Sequence, residues 1–219
     1  MIELINIVKK YPVRGGSRII LDEINFKVEQ GEKVGILGRN GAGKSTLIRL
    51  ISEAEQPTAG KILRNMSISW PLAYGGAFQG SLTGVDNFHF ICRIYGLNSH
   101  ELLPFVEQFA ELGRYLREPI KKYSNGMRAR LAFAISMAVE FDCFLIDEVV
   151  SVGDQRFHEK CHHELFQKRA DRAMILVSHD VQFIRQHCTR ASVLHRGQLT
   201  NFDNLDSAFE FYDASIHQI

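Results

Sequence analysis

Apolar and polar positions alternate at the start of the chain. "MIELINIV" alternates and is rich in branched residues, and "RIILDEINFKVEQGEKVGIL" continues the pattern around a turn at Gln30-Gly31. Both stretches predict strands. "KVGIL" is a short continuous apolar run between turn residues, the pattern of a parallel strand buried on both faces. Directly after it, residues 38–46 read "GRNGAGKST". The period then becomes helical, with Leu47, Leu50 and Ile51 apolar in "STLIRLISE". A glycine-rich loop therefore joins a predicted strand to a predicted helix.

From about residue 83 to 140 the pattern is mostly helical. "VDNFHFICRIYGL" and "HELLPFVEQFAELGRYL" space apolar residues three and four apart, punctuated by Pro104 and Gly113. "NGMRARLAFAISMAVEF" predicts another long helix, with Met127, Leu131, Ala134 and Ile135 on one face. Strand and helix signals then alternate: "CFLID", a helix over "QRFHEKCHHELFQKRA", "AMILVS", a helix over "DVQFIRQHC", and "ASVLHRGQL". Such alternation defines an α/β class with a sheet core. The helical block is an insertion between the strand of the glycine loop and the later strands. The chain ends in a short polar and aromatic tail, "NFDNLDSAFEFYDASIHQI".

Composition narrows the picture only a little. The 219 residues suffice for one domain with a core and a smaller lobe, and are too few for two full domains of usual size. Apolar residues make up 45% and charged residues 23%, which is ordinary for a globular protein. A formal net charge of +1 offers no global attraction to nucleic acid or to an anionic membrane surface. No apolar run reaches the roughly 20 residues of a membrane span, and the N-terminus lacks the form of a secretion signal, so a cytosolic location is expected. The cysteines, Cys92, Cys143, Cys161 and Cys188, show no CxxC spacing and are expected as free thiols. His158 and His162 lie four apart beside Cys161 without further ligands in place, so no metal site is expected there.

The glycine loop has two readings, a turn that happens to be glycine-rich and a cradle for phosphate. Gly38, Gly41, Gly43, Lys44 and Ser45 fit G-x-x-x-x-G-K-[ST]. Glycines allow the backbone to curl so that several N–H groups point at phosphate oxygens, and the following helix aims its positive end at the same place. Lys44 would reach the β- and γ-phosphates, and Ser45 would hold Mg²⁺. A second element strengthens this reading. In "FDCFLIDE" a buried strand would present Asp147 at the carboxyl edge of the sheet, beside Ser45, to ligate Mg²⁺ through water. Glu148 follows and would polarise the attacking water.

Between these motifs lies "KKYSNGMRARLAFAISMA", and here the sequence resembles the ATP-binding subunits of ABC transporters. Their Leu-Ser-Gly-Gly-Gln signature corresponds to "YSNGM", residues 123–127, in which Ser124 and Gly126 match while Tyr123, Asn125 and Met127 depart. The resemblance covers nearly the whole chain. It implies an ABC-type nucleotide-binding domain over residues 1–219, a P-loop NTPase fold with a mixed sheet core and a helical lobe inserted at about 80–140. It also implies that Tyr11 stacks on adenine and that residues Gly38, Arg39, Asn40, Gly41, Ala42, Gly43, Lys44, Ser45 and Thr46 hold ATP. Gln79 of the loop leading to the lobe would join Ser45 and Asp147 around Mg²⁺. Ser151 and Asp154 keep their places in the altered Ser-Ala-Leu-Asp loop, and His179 would contact the γ-phosphate. In this family two domains meet head to tail, so Ser124 and Gly126 would serve the nucleotide held by the partner's Lys44. A homodimer, or a pairing with a related subunit, is implied.

A narrower resemblance concerns "SISWPLAYGGAFQGSLTGVDNFHFICRIYG" and "YSNGMRARLAFAISMAVEFDCFLIDEVVSVGD", which are similar to the exporters of bacterial capsular polysaccharide. It implies an ATPase on the cytoplasmic face of the inner membrane, peripheral to a membrane-spanning permease, with no nucleic acid partner. Exporters of O-antigen or teichoic acid are alternatives, as is a soluble non-transport ABC ATPase. O-antigen relatives often carry a C-terminal carbohydrate-binding domain, which this sequence does not show. A short helix of the permease would enter a groove near Gln79, with Phe78, Leu82, Phe88, Phe90 and Tyr95 as candidate lining. The basic run "RYLREPIKKY" is expected as a solvated lobe surface.

Overall fold

A computed structural model describes residues 1–72, 78–147 and 154–217. Two compact units divide the chain. One comprises Met1–Pro71, Asp142–Val149 and Asp171–Ile219; the other comprises Leu72–Phe141 and Val150–Ala170.

The first unit holds two sheets. β1 (Ile2–Val13) pairs antiparallel with β2 (Gly16–Val28) on one side and with β4 (Ala59–Arg64) on the other. The alternation of β1 slips within the strand. Asn6 sits at φ 49, the register shifts between Leu4 and Ile7, and the bulge brings Ile2, Leu4 and Ile7 to the same core. The second sheet runs in the order β5 (Cys143–Asp147), β6 (Ala173–Ser178), β3 (Lys33–Leu37), β7 (Arg190–His195), β8 (Gln198–Phe202). Its first four strands are parallel and β8 returns antiparallel to β7, which makes the mixed sheet expected from the sequence.

β3 is walled in as its continuous apolar run predicts. Val34, Ile36 and Leu37 are fully buried, and a Cβ at Gly35 would lie 2.5 Å from Ile184 of α6 (Val181–His187). One apolar core joins residues of both sheets with Leu47, Ile48, Leu50 and Ile51 of α1 (Lys44–Ile51). Two elements of this unit escaped the sequence pattern. β4 is a short edge strand whose residues are mostly exposed, so it carries little alternation. The tail folds into α7 (Leu205–His217), burying Ala208, Phe209, Tyr212 and Ser215 at helical spacing. The stripe is masked by its polar member Ser215 and by Phe211, which stays exposed on another face.

The second unit is helical. Thr83 and Asp86 form a reciprocal capping box at the start of α2 (Gly84–Tyr95), and Gly96 ends it in a left-handed conformation. α3 (Ser99–Ala110) and two short 3₁₀ turns (Gly113–Arg117, Ile120–Lys122) lead to α4 (Asn125–Val139). α5 (Gln155–His162) continues into a π turn at His163–Gln167, where the Lys168 amide reaches the carbonyl of His163. The sequence predicts one uninterrupted helix there, because side-chain spacing does not report a single widened turn. It also assigned this segment to the sheet's helices, whereas it groups with the helical unit. The single apolar face read for α4 is likewise too narrow: every residue from Leu131 to Val139 is buried.

Stacked and edge-on rings of Phe109, Phe133 and Phe157 fill the centre of this unit. Arg169 locks one end of α4. Its guanidinium donates to the Met137 and Glu164 carbonyls and pairs at 2.8 Å with the buried Glu164 carboxylate. Removing Arg169 leaves the buried Glu164 carboxylate to Lys168 alone among the described residues, and Lys168 is itself largely exposed. Arg169→Met should therefore destabilise the chain by about 3 kcal/mol, read as a lower urea midpoint. Adding Glu164→Gln to it should recover part of that loss.

Candidate functional site

Three neighbouring strands of the parallel sheet end at one edge. In the β5–β6–β3 order, Asp147 lies opposite Val177, and Ser178 lies opposite Leu37. The residues that follow these strands are thereby gathered at the carboxyl edge, where α/β sheets place their ligands. The glycine loop follows Leu37. Asp147 closes β5 and is exposed there, and exposed His179 follows Ser178.

The loop is shaped by its glycines. Gly43 caps α1 at φ 110, and a Cβ there would meet Leu21 Cδ2 at 2.9 Å and the Ile20 carbonyl at 3.3 Å. At Gly38 a Cβ would lie 2.8 Å from the Leu194 carbonyl. Both positions exclude side chains, so the backbone turns tightly against β2 and β7. Lys44 is only 8% exposed, and its Nζ donates to the carbonyls of Gly38 at 2.6 Å and Arg39 at 3.3 Å. These bonds hold the ammonium in the hollow of the loop. No side chain caps the N-terminus of α1, so its first-turn N–H groups are presented outward at its positive end.

An open cavity of about 600 Å³ occupies this place, lined by Tyr11, Arg18, Ile20, Asn40, Gly41, Gly43, Lys44, Ser45, Thr46 and Asp147. Ser45 and Asp147 thus meet on one cavity, as the motif spacing predicts. Gly38, Arg39 and Ala42 serve as frame and do not line it. The Arg39 guanidinium donates to the Ile216 carbonyl of α7 at 3.3 Å, and Ala42 packs on the core. The Tyr11 ring is fixed by its far edge. Its hydroxyl donates to Glu55 at 2.6 Å and accepts from Arg49 at 3.1 Å, with Lys9 Nζ 5.1 Å from the ring centre. The Tyr11 hydrogen bond, helped by Lys9 and Arg49, holds the Glu55 carboxyl down at about 2.

The remaining expected residues belong to the helical unit. The backbone of Gln79 is pinned by buried Asn87, whose amide oxygen accepts from the Gln79 N–H at 2.8 Å and whose nitrogen donates to the Gln79 carbonyl at 3.2 Å. The Gln79 side chain is exposed. Asn87 is missed by sequence reasoning, since a lone Asn in an amphipathic helix carries no motif. Ser124 is the N-cap of α4, accepting from the Met127 N–H, and Gly126 lies in the first turn. Tyr123, at the position of the usual signature Leu, is buried and donates to the Tyr115 carbonyl at 2.5 Å; burial pushes its hydroxyl up to about 12. Asp154 caps α5 by accepting from the Phe157 N–H at 2.9 Å and pairs with Arg130 at 3.0 Å, and both hold its carboxyl below the usual range. Phe88 is fully buried, so it belongs to the lobe core and leaves the candidate groove; Phe90 is 57% exposed. Glu148 and Ser151 lie outside the described residues.

A phosphate-ready helix start, a carboxylate on the strand end two places away in the sheet and a fixed aromatic ring define an ATP-binding cassette. Residues 21–151 match the family described as ABC transporter, and the chain belongs to that family. It is 59% identical over 214 residues to the capsule polysaccharide export ATP-binding protein CtrD of Neisseria meningitidis serogroup B, covering 98% of this chain and 99% of that one. It is 57% identical to the ATP-binding protein BexA of Haemophilus influenzae, covering 97% and 98%. It is 41% identical to a polysialic acid transport ATP-binding protein KpsT of Escherichia coli, covering 97% and 96%. Among solved structures the fold matches the ATP-binding cassette MJ0796, a dimer bound to ADP and Pi, with TM-score 0.79 at 21% identity over 94% of this chain and 99% of that one. No helix among the described residues is long and apolar enough to cross a membrane.

Proposed function

We propose that this chain is the ATP-hydrolysing subunit of an exporter that moves capsular polysaccharide across the bacterial inner membrane. The observation that carries the ATPase reading is the single cavity on which Lys44, Ser45, Asp147 and Tyr11 meet. The polymer reading is supported by near full-length similarity to proteins named for capsule polysaccharide export and polysialic acid transport.

In this reading the Tyr11 face receives adenine, and the backbone from Gly38 to Thr46 wraps the phosphates. Lys44 moves from its loop carbonyls to the β- and γ-phosphates. Ser45 and Asp147 offer oxygen donors on one cavity, a set that suits Mg²⁺, and the family resemblance implies that the Gln79 amide oxygen would join them. Bound Mg²⁺ would neutralise charge on the β- and γ-phosphate oxygens. Glu148 accepts a proton from the attacking water, and His179 contacts the γ-phosphate. Ser124 and Gly126, at the start of α4, and Asp154 serve the nucleotide of a second copy in a head-to-tail homodimer. Closure of that dimer excludes water and drives a membrane-spanning permease, to which the chain is peripheral on the cytoplasmic face.

The test is the location of polymer when Glu148→Gln replaces the native copy in its own organism. Capsular polymer made but retained inside the cell is expected. Normal surface polymer, with no second copy of the gene present, would overturn the exporter reading. Retained polymer with the sugar composition of O-antigen or teichoic acid would overturn the capsule assignment.

A further inference from the structure

The cavity wall facing the glycine loop is the β1–β2 ribbon, and it carries a cation that no motif predicts. Arg18 lies directly opposite Tyr11 in the antiparallel register and lines the same cavity. Residues paired in this way project from the same face of the sheet. Ile20, the bulged residue two along β2, lines the same cavity and approaches the phosphate loop, with its Cγ2 3.5 Å from where a Gly43 Cβ would stand. Arg18 is therefore one pleat, about 7 Å, further out along the strand than the contact with Gly43. Cations are common on edge strands, where they face solvent and discourage pairing. Arg18 is exposed like these, but it also shares the face of Tyr11 and lines the cavity. Among the described residues its guanidinium makes no hydrogen bond or ion pair, in contrast to Lys9, Lys44 and Arg49 nearby.

We propose that Arg18 is a second phosphate-binding cation of this site, paired with the α-phosphate of the bound nucleotide. The proposal rests on the ATP reading of the cavity. Tyr11 marks the base end, and Lys44 with Asp147 marks the end of the terminal phosphates. Arg18 stands beside Tyr11, so the phosphate nearest the base is the one within its reach. The planar guanidinium fork suits two phosphate oxygens, which an ammonium matches less well. ADP retains the α-phosphate, so Arg18 holds substrate and product alike. An interaction of that kind lowers KM without changing the chemical step.

The test is nucleotide binding by the full chain carrying Arg18→Met or Arg18→Lys, with Lys44→Ala alongside. Arg18→Met should weaken ATP and ADP by the same factor, roughly tenfold (about 1.4 kcal/mol), and leave adenosine unaffected. Arg18→Lys should recover most of the loss, and in turnover assays the defect should appear in KM. Unchanged ATP and ADP affinities in Arg18→Met would overturn the proposal, as would an equal loss for adenosine, which would put the charge on the base. Tight ATP binding by Lys44→Ala would instead remove the assignment of ATP to this cavity, so the two failures are separable.

Discussion

Replacing Lys44 with alanine should lower ATP affinity by at least roughly a hundredfold. The ammonium is nearly buried, and two backbone carbonyls aim it into the concavity that the phosphates would occupy. Charge-assisted hydrogen bonds of this kind are worth roughly 1.5–3 kcal/mol each, and each 1.4 kcal/mol is about tenfold in affinity. Loss of two such bonds to the β- and γ-phosphates therefore accounts for the hundredfold. The uncapped amides of α1 remain in the variant and leave only residual attraction. Lys44→Met keeps most of the side-chain volume, so it separates loss of charge from collapse of the loop. Fluorescent-nucleotide titration, with thermal melting as a folding control, measures the effect. Wild-type affinity in a folded Lys44→Met chain would mean that the loop does not cradle phosphate.

Glu148→Gln should bind ATP normally, accumulate as a closed dimer and turn over at less than about 1% of the wild-type rate, the loss expected when a general base worth 10²–10⁴-fold is removed. Asp147 ends β5 exposed at the carboxyl edge, and the next residue along the chain is Glu148. Glutamine keeps the size and hydrogen-bonding capacity of the side chain but cannot accept the proton of the attacking water. Binding and dimerisation use other groups, so they should persist. Sedimentation with ATP and Mg²⁺, beside a phosphate-release assay, reads both effects. Wild-type phosphate release would remove Glu148 from the catalytic role.

The glycine loop between strand and helix and the strand ending in Asp147 were legible because each is local. A strand, five to eight residues of backbone and a helix start carry their own geometry, and the residue types that allow it, Gly38, Gly43, Lys44 and Ser45, sit in one short stretch. "KVGIL" and "CFLID" were legible for a related reason. A strand buried on both faces is apolar throughout, and each stretch carries a single polar residue at one end, Lys33 at the start of the first and Asp147 at the end of the second. The alternation of strand and helix signals then placed the end of each parallel strand at the same edge.

What escaped the sequence depends on partners distant along the chain. Arg18 becomes a site residue only because the β1–β2 register sets it opposite Tyr11 and the loop folds back against β2. Asn87 matters because its side chain reaches back to the backbone of Gln79. Arg39, read as a nucleotide contact, points its side chain to the carbonyl of Ile216, 177 residues away. Phe88 and Phe90 lie on opposite faces of α2, each with an apolar partner four residues on (Cys92, Ile94), yet one is wholly buried and the other exposed. A one-dimensional pattern reports which residues a segment can bury, whereas the choice among them is made by packing against elements far off in the chain. The sequence by itself determined the fold class, the glycine loop between strand and helix and the order of the motifs, since each is read from residue types within a short stretch. The tertiary structure alone decided which side chains enter the cavity and which become frame, since that depends on strand register and on close packing between distant segments.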